Sequence, residues 1–80
     1  MLRPTVTAVR AEQNHSLRLT FDNGEVKRFD VTPYIRGEWY SALADEAYFN
    51  MAFANGYTVE WPDGQDLCPD ELYHNSVPAV

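Results

Sequence analysis

The sequence predicts an α+β fold in which a small antiparallel β-sheet, built from two hairpins, carries short helices packed on one face. Three observations favour this class. A chain of 80 residues supports one small hydrophobic core, so we treat residues 1–80 as a single domain. Apolar and polar side chains alternate at residues 17–21 directly before an Asn-Gly turn, which is typical of a hairpin with one buried face. The second half contains short apolar segments that begin with Asp or Pro, as short helices do.

The N-terminal part of the chain predicts a strand followed by the first hairpin. Residues 5–11 are rich in β-branched side chains and end at a polar turn around residues 13–15. The alternating segment at residues 17–21 forms the next strand. The turn Asp22-Asn23-Gly24-Glu25 is the strongest hairpin signal in the chain, because Asn and Gly tolerate the positive φ angles of a tight turn. Residues 26–31 therefore return antiparallel.

The register of this hairpin needs one irregularity. Pairing Phe21 with Val26 across the turn would place Phe29 opposite Arg18 and interrupt the apolar face. One bulged residue within Lys27-Arg28 would return Phe29 to that face. We therefore predict a β-bulge at this pair of residues.

Short helices are predicted in the middle of the chain. Thr32 is suited to be a helix N-cap, and Pro33 is tolerated as the first helical residue. Asp45 precedes Glu-Ala-Tyr-Phe at the position of a second N-cap. We expect a short helical turn after Thr32 and one or two short helices within residues 38–50.

A second hairpin is predicted in the segment MAFANGYTVEW. A three-residue loop at residues 54–56, with its Gly in the left-handed conformation, pairs Phe53 with Tyr57 and Met51 with Val59. This register places the large apolar side chains on one side of the hairpin.

The segment WPDGQDLCPDELY predicts a turn that leads into a helix. Residues 62–64 have the Pro and Gly of a tight turn, and residues 66–68 form a short extended piece. Proline at the first helical position then starts a helix at Pro69, with two acids that complement the helix dipole. Residues 77–80 are expected to fray.

The charges of the chain are unevenly distributed. Residues 1–36 contain all six basic residues beside four acids, whereas residues 37–80 contain eight acids and no Lys or Arg. An acidic half repels phosphate backbones, so we expect no direct nucleic-acid binding by this chain alone. The acids either keep a small protein soluble or form a surface for a basic partner.

The sequence contains few signals for a cellular compartment, and all of them favour the cytoplasm. The single cysteine cannot form an internal disulfide, and the N-terminus has no apolar run of signal-peptide length. No stretch approaches the ~18 apolar residues of a membrane span. We expect a cytoplasmic protein that does not bind membranes.

Three segments together resemble a known family. LTFDNGEVKRFDV, GEWYSALADEAYF and VEWPDGQDLCPDELY, in this order and covering most of the chain, are similar to small bacterial proteins catalogued as domain of unknown function 2442. The resemblance implies an α+β domain with an antiparallel sheet, in some members joined to a helix-turn-helix domain. It also implies genes that lie beside another small gene, an arrangement suggestive of toxin and antitoxin pairs. No helix-turn-helix segment is present in these 80 residues, so the resemblance does not bring DNA binding to this chain.

Two alternatives involve chemistry in the segment around Cys68. The acids at residues 63–71 would suit a hard cation, but their spacing fits no EF-hand loop, and turn and helix-start residues explain them. To act as a nucleophile, Cys68 would need a neighbouring base, and no sequence motif places either His beside it. We expect Cys68 to be a small buried hydrophobe, and we expect no metal and no cofactor.

The function predicted from these observations is a non-enzymatic protein–protein interaction or regulatory module, antitoxin-like in its setting. Its partner is another protein, either a small basic protein encoded by a neighbouring gene or a second copy of this chain. The alternative is a small Cys- or carboxylate-dependent hydrolase or a metal-binding protein. The predicted interaction surface combines aromatic anchors with carboxylates. Its residues are Trp61, Asp63, Asp66, Asp70, Glu71 and Tyr73.

Overall fold

The strands of the protein lie in two antiparallel ladders. The computed structural model describes residues 4–79. Its strands are β1 Val6–Glu12, β2 Ser16–Phe21, β3 Val26–Asp30, β4 Phe53–Ala54, β5 Val59–Glu60 and β6 Val77–Pro78. A four-stranded sheet has the order β1-β2-β3-β6, and β4 pairs with β5 alone. The predicted antiparallel α+β class is confirmed, and the two predicted hairpins lie in separate ladders.

Short helices connect the two ladders. The α-helices are α1 Gly37–Ser41, α2 Glu46–Phe49 and α3 Pro69–His74, and 3₁₀ turns occupy Gln13–His15, Thr32–Tyr34 and Ala42–Ala44. The predicted cap at Asp45 is confirmed, because its side chain accepts a hydrogen bond from the Ala47 N–H at 3.2 Å. Thr32 is not a cap, since Val31 holds that position and the Asp30 side chain accepts the Thr32 N–H at 2.9 Å.

The irregularity of the first hairpin lies in the turn and not in the strand. The Phe21 N–H donates to the Glu25 carbonyl at 2.9 Å, and the Gly24 N–H donates to the Phe21 carbonyl at 3.0 Å. Gly24 has a φ of +90°, which only glycine adopts without strain. Leu17 therefore pairs directly with Phe29. The predicted bulge at Lys27-Arg28 is wrong, because the turn spans residues 22–24 and places Val26 opposite Thr20 instead of Phe21.

The second hairpin has a wider loop than predicted. Phe53 pairs with Glu60 and Ala54 with Val59, so the expected pairing of Phe53 with Tyr57 is wrong. The Asn55 side-chain oxygen accepts the N–H groups of Tyr57 and Thr58 at 2.9 and 2.8 Å. These bonds satisfy two loop donors at once and stabilise the longer connection.

The C-terminal segment is a strand. Val77 pairs with Arg28 and Pro78 with Lys27, and the Ala79 N–H donates to the Val26 carbonyl at 3.1 Å. The expectation of a frayed end at residues 77–80 is wrong for Val77–Pro78, and Val80 lies outside the described residues. Pro78 has no N–H to offer a further strand, so it suits a sheet edge.

The core lies between the four-stranded sheet and the helices. Its buried apolar residues are Val6, Leu17, Leu19, Phe21, Phe29, Val31, Leu43, Phe49, Val59, Trp61, Leu67 and Leu72. Trp61 is the largest of them and is fully buried. Its indole N–H donates to the Phe49 carbonyl at 3.0 Å, and the two rings lie 5.7 Å apart. Trp61 thereby links the second hairpin to the end of α2.

Helix α3 is attached to the first hairpin through Tyr73. The Tyr73 hydroxyl donates to Glu25 Oε1 at 2.5 Å, and its ring contacts Phe21 edge-on at a centroid distance of 5.2 Å. Lys27 Nζ lies 4.1 Å from the Tyr73 ring centroid and donates to the Tyr73 carbonyl at 3.2 Å. One side chain thus combines a charge-assisted hydrogen bond, an aromatic contact and a cation–π contact.

The two tryptophans provide a matched test of the core. Replacing Trp61→Phe removes core volume and the indole hydrogen bond to the Phe49 carbonyl, which keeps only the Ala52 N–H at 3.2 Å as a donor. We therefore expect a loss of about 2–3 kcal/mol in the free energy of unfolding. Trp39 is 56% exposed, and Trp39→Phe should cost less than about 0.5 kcal/mol. Urea unfolding followed by circular dichroism measures both. Equal losses for the two variants would contradict the buried position of Trp61.

The Tyr73 contact predicts a pH dependence of stability. The hydrogen bond from Tyr73 is the main cause that lowers the pKa of Glu25 below its ordinary value of 4.5, and Asn23 contributes. A carboxyl group with a lowered folded pKa stabilises the fold above its unfolded pKa, and this stabilisation is lost as the pH falls through the folded pKa. Glu25→Gln should therefore lower the melting temperature at pH 7, and the difference from wild type should shrink below pH 4.5.

The matched control is Glu38→Gln, at an exposed position in the first turn of α1. It should show no such pH-dependent difference. A Glu25→Gln effect that stays constant down to the acid transition would contradict an ionic contribution from this contact.

Candidate functional site

The six residues of the predicted interaction surface do not form one surface. Trp61 is fully buried in the core. Its side chain therefore cannot contact a partner. Tyr73 is half-buried against the first hairpin. The four acids are all exposed. The prediction of an aromatic anchor among them therefore fails at Trp61, and other aromatic side chains lie beside the acids.

An open groove next to the start of α3 brings three tyrosines and two of these acids together. We call it the tyrosine groove, and its volume is about 350 Å³. It is lined by Tyr34, Tyr40, Tyr57, Thr58, Asp66, Leu67, Cys68, Pro69 and Glu71. Asp63 and Asp70 are exposed outside this lining.

Each tyrosine reaches the groove from a different element. Tyr34 ends the 3₁₀ turn after β3, and its hydroxyl donates to Glu71 Oε1 at 3.0 Å. Tyr40 lies on α1, and its hydroxyl donates to the Asp66 carbonyl at 2.9 Å. Tyr57 lies in the wide loop of the second hairpin and is 60% exposed. Two rings are thus fixed by hydrogen bonds, and the third is the most accessible to a ligand.

Two carboxylates, Asp66 and Glu71, make the lining of the groove acidic. Burial is the main cause that raises the pKa of Tyr34, and the Glu71 carboxylate raises it further. Burial likewise raises the pKa of Tyr40, with a contribution from Asp66. Among the described residues, no Lys, Arg or His lines the groove. Aromatic faces beside carboxylates attract cationic groups, so the groove is suited to an ammonium or a guanidinium.

Cys68 is exposed and forms no disulfide with any described residue, which corrects the expectation of a buried hydrophobe. It directly precedes α3, where the chain is still extended and its side chain is free of the helix packing. Neither histidine lies beside it in the groove: His15 packs edge-on against Phe49, and His74 contacts Tyr73 at the other end of α3. Within residues 4–79 no three His, Cys, Asp or Glu side chains are arranged to hold a metal ion.

Tyr34 is the groove residue that sequence reasoning missed. It was predicted only as part of a turn after Thr32, and its contact with Glu71 spans 37 residues of chain. No local pattern signals such a contact. Tyr40 and Tyr57 belong to the aromatic-rich second half, but which of its rings are exposed depends on the registers that the structure reveals.

Other large apolar side chains are also exposed. They are Trp39, Met51, Phe53 and Val77, each between 42% and 56% accessible. Phe53 is exposed because it pairs with Glu60 on one face of the hairpin, whereas the neighbouring pair of Ala54 and buried Val59 faces the core. Within residues 4–79 no helix has the length and apolarity to cross a bilayer.

The fold and the groove define a small antiparallel α+β domain with an acidic, aromatic-lined surface. The profile of the family described as "Protein of unknown function (DUF2442)" matches residues 6–78. The match includes all six strands, and the chain belongs to this family, as its three sequence segments indicate. Comparison with curated proteins and with solved structures finds no match.

The position of Cys68 can be tested by alkylation. We expect a thiol reagent such as iodoacetamide to label the native protein fully without denaturant, because the side chain is exposed. Mass spectrometry measures the labelled fraction, and circular dichroism of the product should be unchanged. Labelling that requires urea would contradict this position.

Proposed function

We propose that this protein is a non-enzymatic interaction module that binds a basic segment of another protein in the tyrosine groove. The observation that carries the proposal is the lining of the groove: it contains three tyrosines and two carboxylates and, within residues 4–79, no basic side chain. A Lys or Arg side chain of the partner would lie against the tyrosine rings with its charge near Asp66 or Glu71.

The charge distribution of the chain supports the same partner chemistry. Residues 37–80 contain eight acids and no Lys or Arg, so the approach to the groove is favourable for a positively charged protein. Hydrogen-bonded Tyr34 and Tyr40 are already held in place, which reduces the entropy lost when a ligand binds. Exposed aromatic rings are common anchors of protein interfaces.

The partner we propose is a small basic protein encoded by a neighbouring gene, in an antitoxin-like pair. A second copy of this chain is the other candidate partner. A regulatory rather than catalytic role is supported by the surroundings of Cys68, since catalysis by this thiol would need a base that neither histidine provides.

A pair of matched double variants tests the groove. Asp66→Asn with Glu71→Gln removes both carboxylate charges of the groove and keeps an oxygen acceptor for the Tyr34 hydroxyl. We expect the dissociation constant for the basic neighbour-encoded protein to rise at least about tenfold, because two charge-assisted contacts are lost. Isothermal titration calorimetry measures binding, and circular dichroism checks the fold.

The control double variant is Glu38→Gln with Asp63→Asn. It removes the same number of acids from the same half of the chain, at exposed positions outside the groove. We expect a change in affinity of less than about twofold. Equal effects of both double variants would refute the groove as the site. Analytical ultracentrifugation measures self-association. Self-association that the groove double variant weakens and the control double variant does not would identify a second copy of the chain as the partner.

A further inference from the structure

The outer face of the four-stranded sheet carries a row of three arginines. Arg10 pairs directly with Arg18 across β1 and β2, and Arg18 pairs with Arg28 across β2 and β3. Side chains opposite each other in a ladder point to the same face. Because Leu17 pairs with Phe29 and both are buried, the neighbouring positions that carry the arginines face solvent. We call these three residues the arginine row.

The row is costly for the fold. Like charges directly opposite each other in adjacent strands destabilise a sheet, and neighbouring strands lie only about 4.8 Å apart. One carboxylate compensates part of this repulsion: Glu12 contacts Arg18 Nε at 2.9 Å and Arg28 Nε at 3.5 Å. Arg10 is exposed and makes no ion pair with any residue in 4–79. Among the described residues, one carboxylate thus contacts two of the three guanidinium groups.

The contact with Glu12 indicates the chemistry of a ligand that would suit the row. A single carboxylate reaches two arginines, and it does so through their Nε atoms. Guanidinium groups bind carboxylates through several planar donors. The terminal nitrogens of the row therefore offer the same chemistry to carboxylates from outside the chain.

The side chains around the row favour a polypeptide over a nucleic acid. A hollow of about 490 Å³ lies beside Arg10 and Arg18, with small side chains between them. Its other lining residues are Ala8, Val9, Thr20 and Val26. No aromatic ring lines it, so bases would find no stacking platform. Three cations are also few for binding a phosphate backbone. The hollow suits an aliphatic side chain that lies next to a carboxylate.

We propose that the arginine row is a docking surface for an extended, glutamate- or aspartate-rich segment of another polypeptide. Carboxylates of that segment bind the row, and aliphatic side chains between them enter the hollow. This surface is separate from the tyrosine groove, because no residue lining the groove lies on this face. The two sites prefer partners of opposite charge.

Binding to a defined probe tests this proposal. The probe is a fluorescein-labelled peptide in which glutamate alternates with valine, and its fluorescence anisotropy reports binding at low salt. We expect saturable binding that weakens as salt is added. Arg10→Gln and Arg28→Gln should each raise the dissociation constant about threefold to tenfold. The control Arg36→Gln removes an exposed arginine outside the face and should change it less than about twofold.

Thermal unfolding separates this role from a structural one. Arg10→Gln relieves like-charge repulsion, so its melting temperature should equal or exceed that of the wild type while peptide binding falls. The groove variants Asp66→Asn with Glu71→Gln should bind the acidic peptide as the wild type does, so the two proposals fail independently.

Three outcomes would overturn the proposal: no saturable binding of the peptide, an equal loss in Arg36→Gln, or tighter binding of a labelled single-stranded oligonucleotide than of the peptide. The last result would show that the row accepts phosphates.

Discussion

The burial of Trp61 is the constraint on which the second half of the protein depends. Its side chain is fully buried, and its indole N–H has a partner in the Phe49 carbonyl at the end of α2. A buried indole needs such an acceptor, since an unpaired N–H in the core costs about 1–3 kcal/mol. The ladder of β4 and β5 has only two residue pairs and is too short to be stable alone. Packing of Trp61 therefore holds this ladder and α2 in one arrangement.

The tyrosine groove is a consequence of that arrangement. After Trp61 the chain reverses in a tight turn, in which the Gly64 N–H donates to the Trp61 carbonyl at 2.9 Å and Gly64 has a φ of +100°. The turn directs the following segment back along β5, and Asp66 forms a bridge with Glu60. Helix α3 then starts at Pro69 beside the Tyr34 turn. The burial of Trp61 thus positions Asp66 and Glu71, which follow it in the chain.

Local chemistry predicted the elements that one short segment determines. The cap at Asp45, the turn at residues 62–64 and the start of α3 at Pro69 each depend on neighbouring side chains and backbone. Features that depend on distant pairing were not predictable in this way. Strand β6 exists because β3 offers it an edge, and the groove exists because Tyr34 meets a helix 37 residues later. Of the residues predicted for the interaction surface, the four acids are exposed, as their charge indicates. Trp61 is buried, and the sequence does not reveal this because aromatic residues serve both cores and surfaces.

Two surfaces of opposite charge coexist in this small fold because water and salt screen the interaction between them. The molecule measures 34 × 23 × 18 Å, and the Debye length at physiological ionic strength is about 8 Å. Charges on opposite faces therefore interact weakly, and the arginine row keeps a local positive potential in a chain of net charge −6. The sheet edges are poorly suited to strand addition: Pro78 lacks a donor at one edge, and a register shift between Val6 and Ala8 interrupts the other. The two proposed sites therefore use side chains on the faces of the fold and not its strand edges.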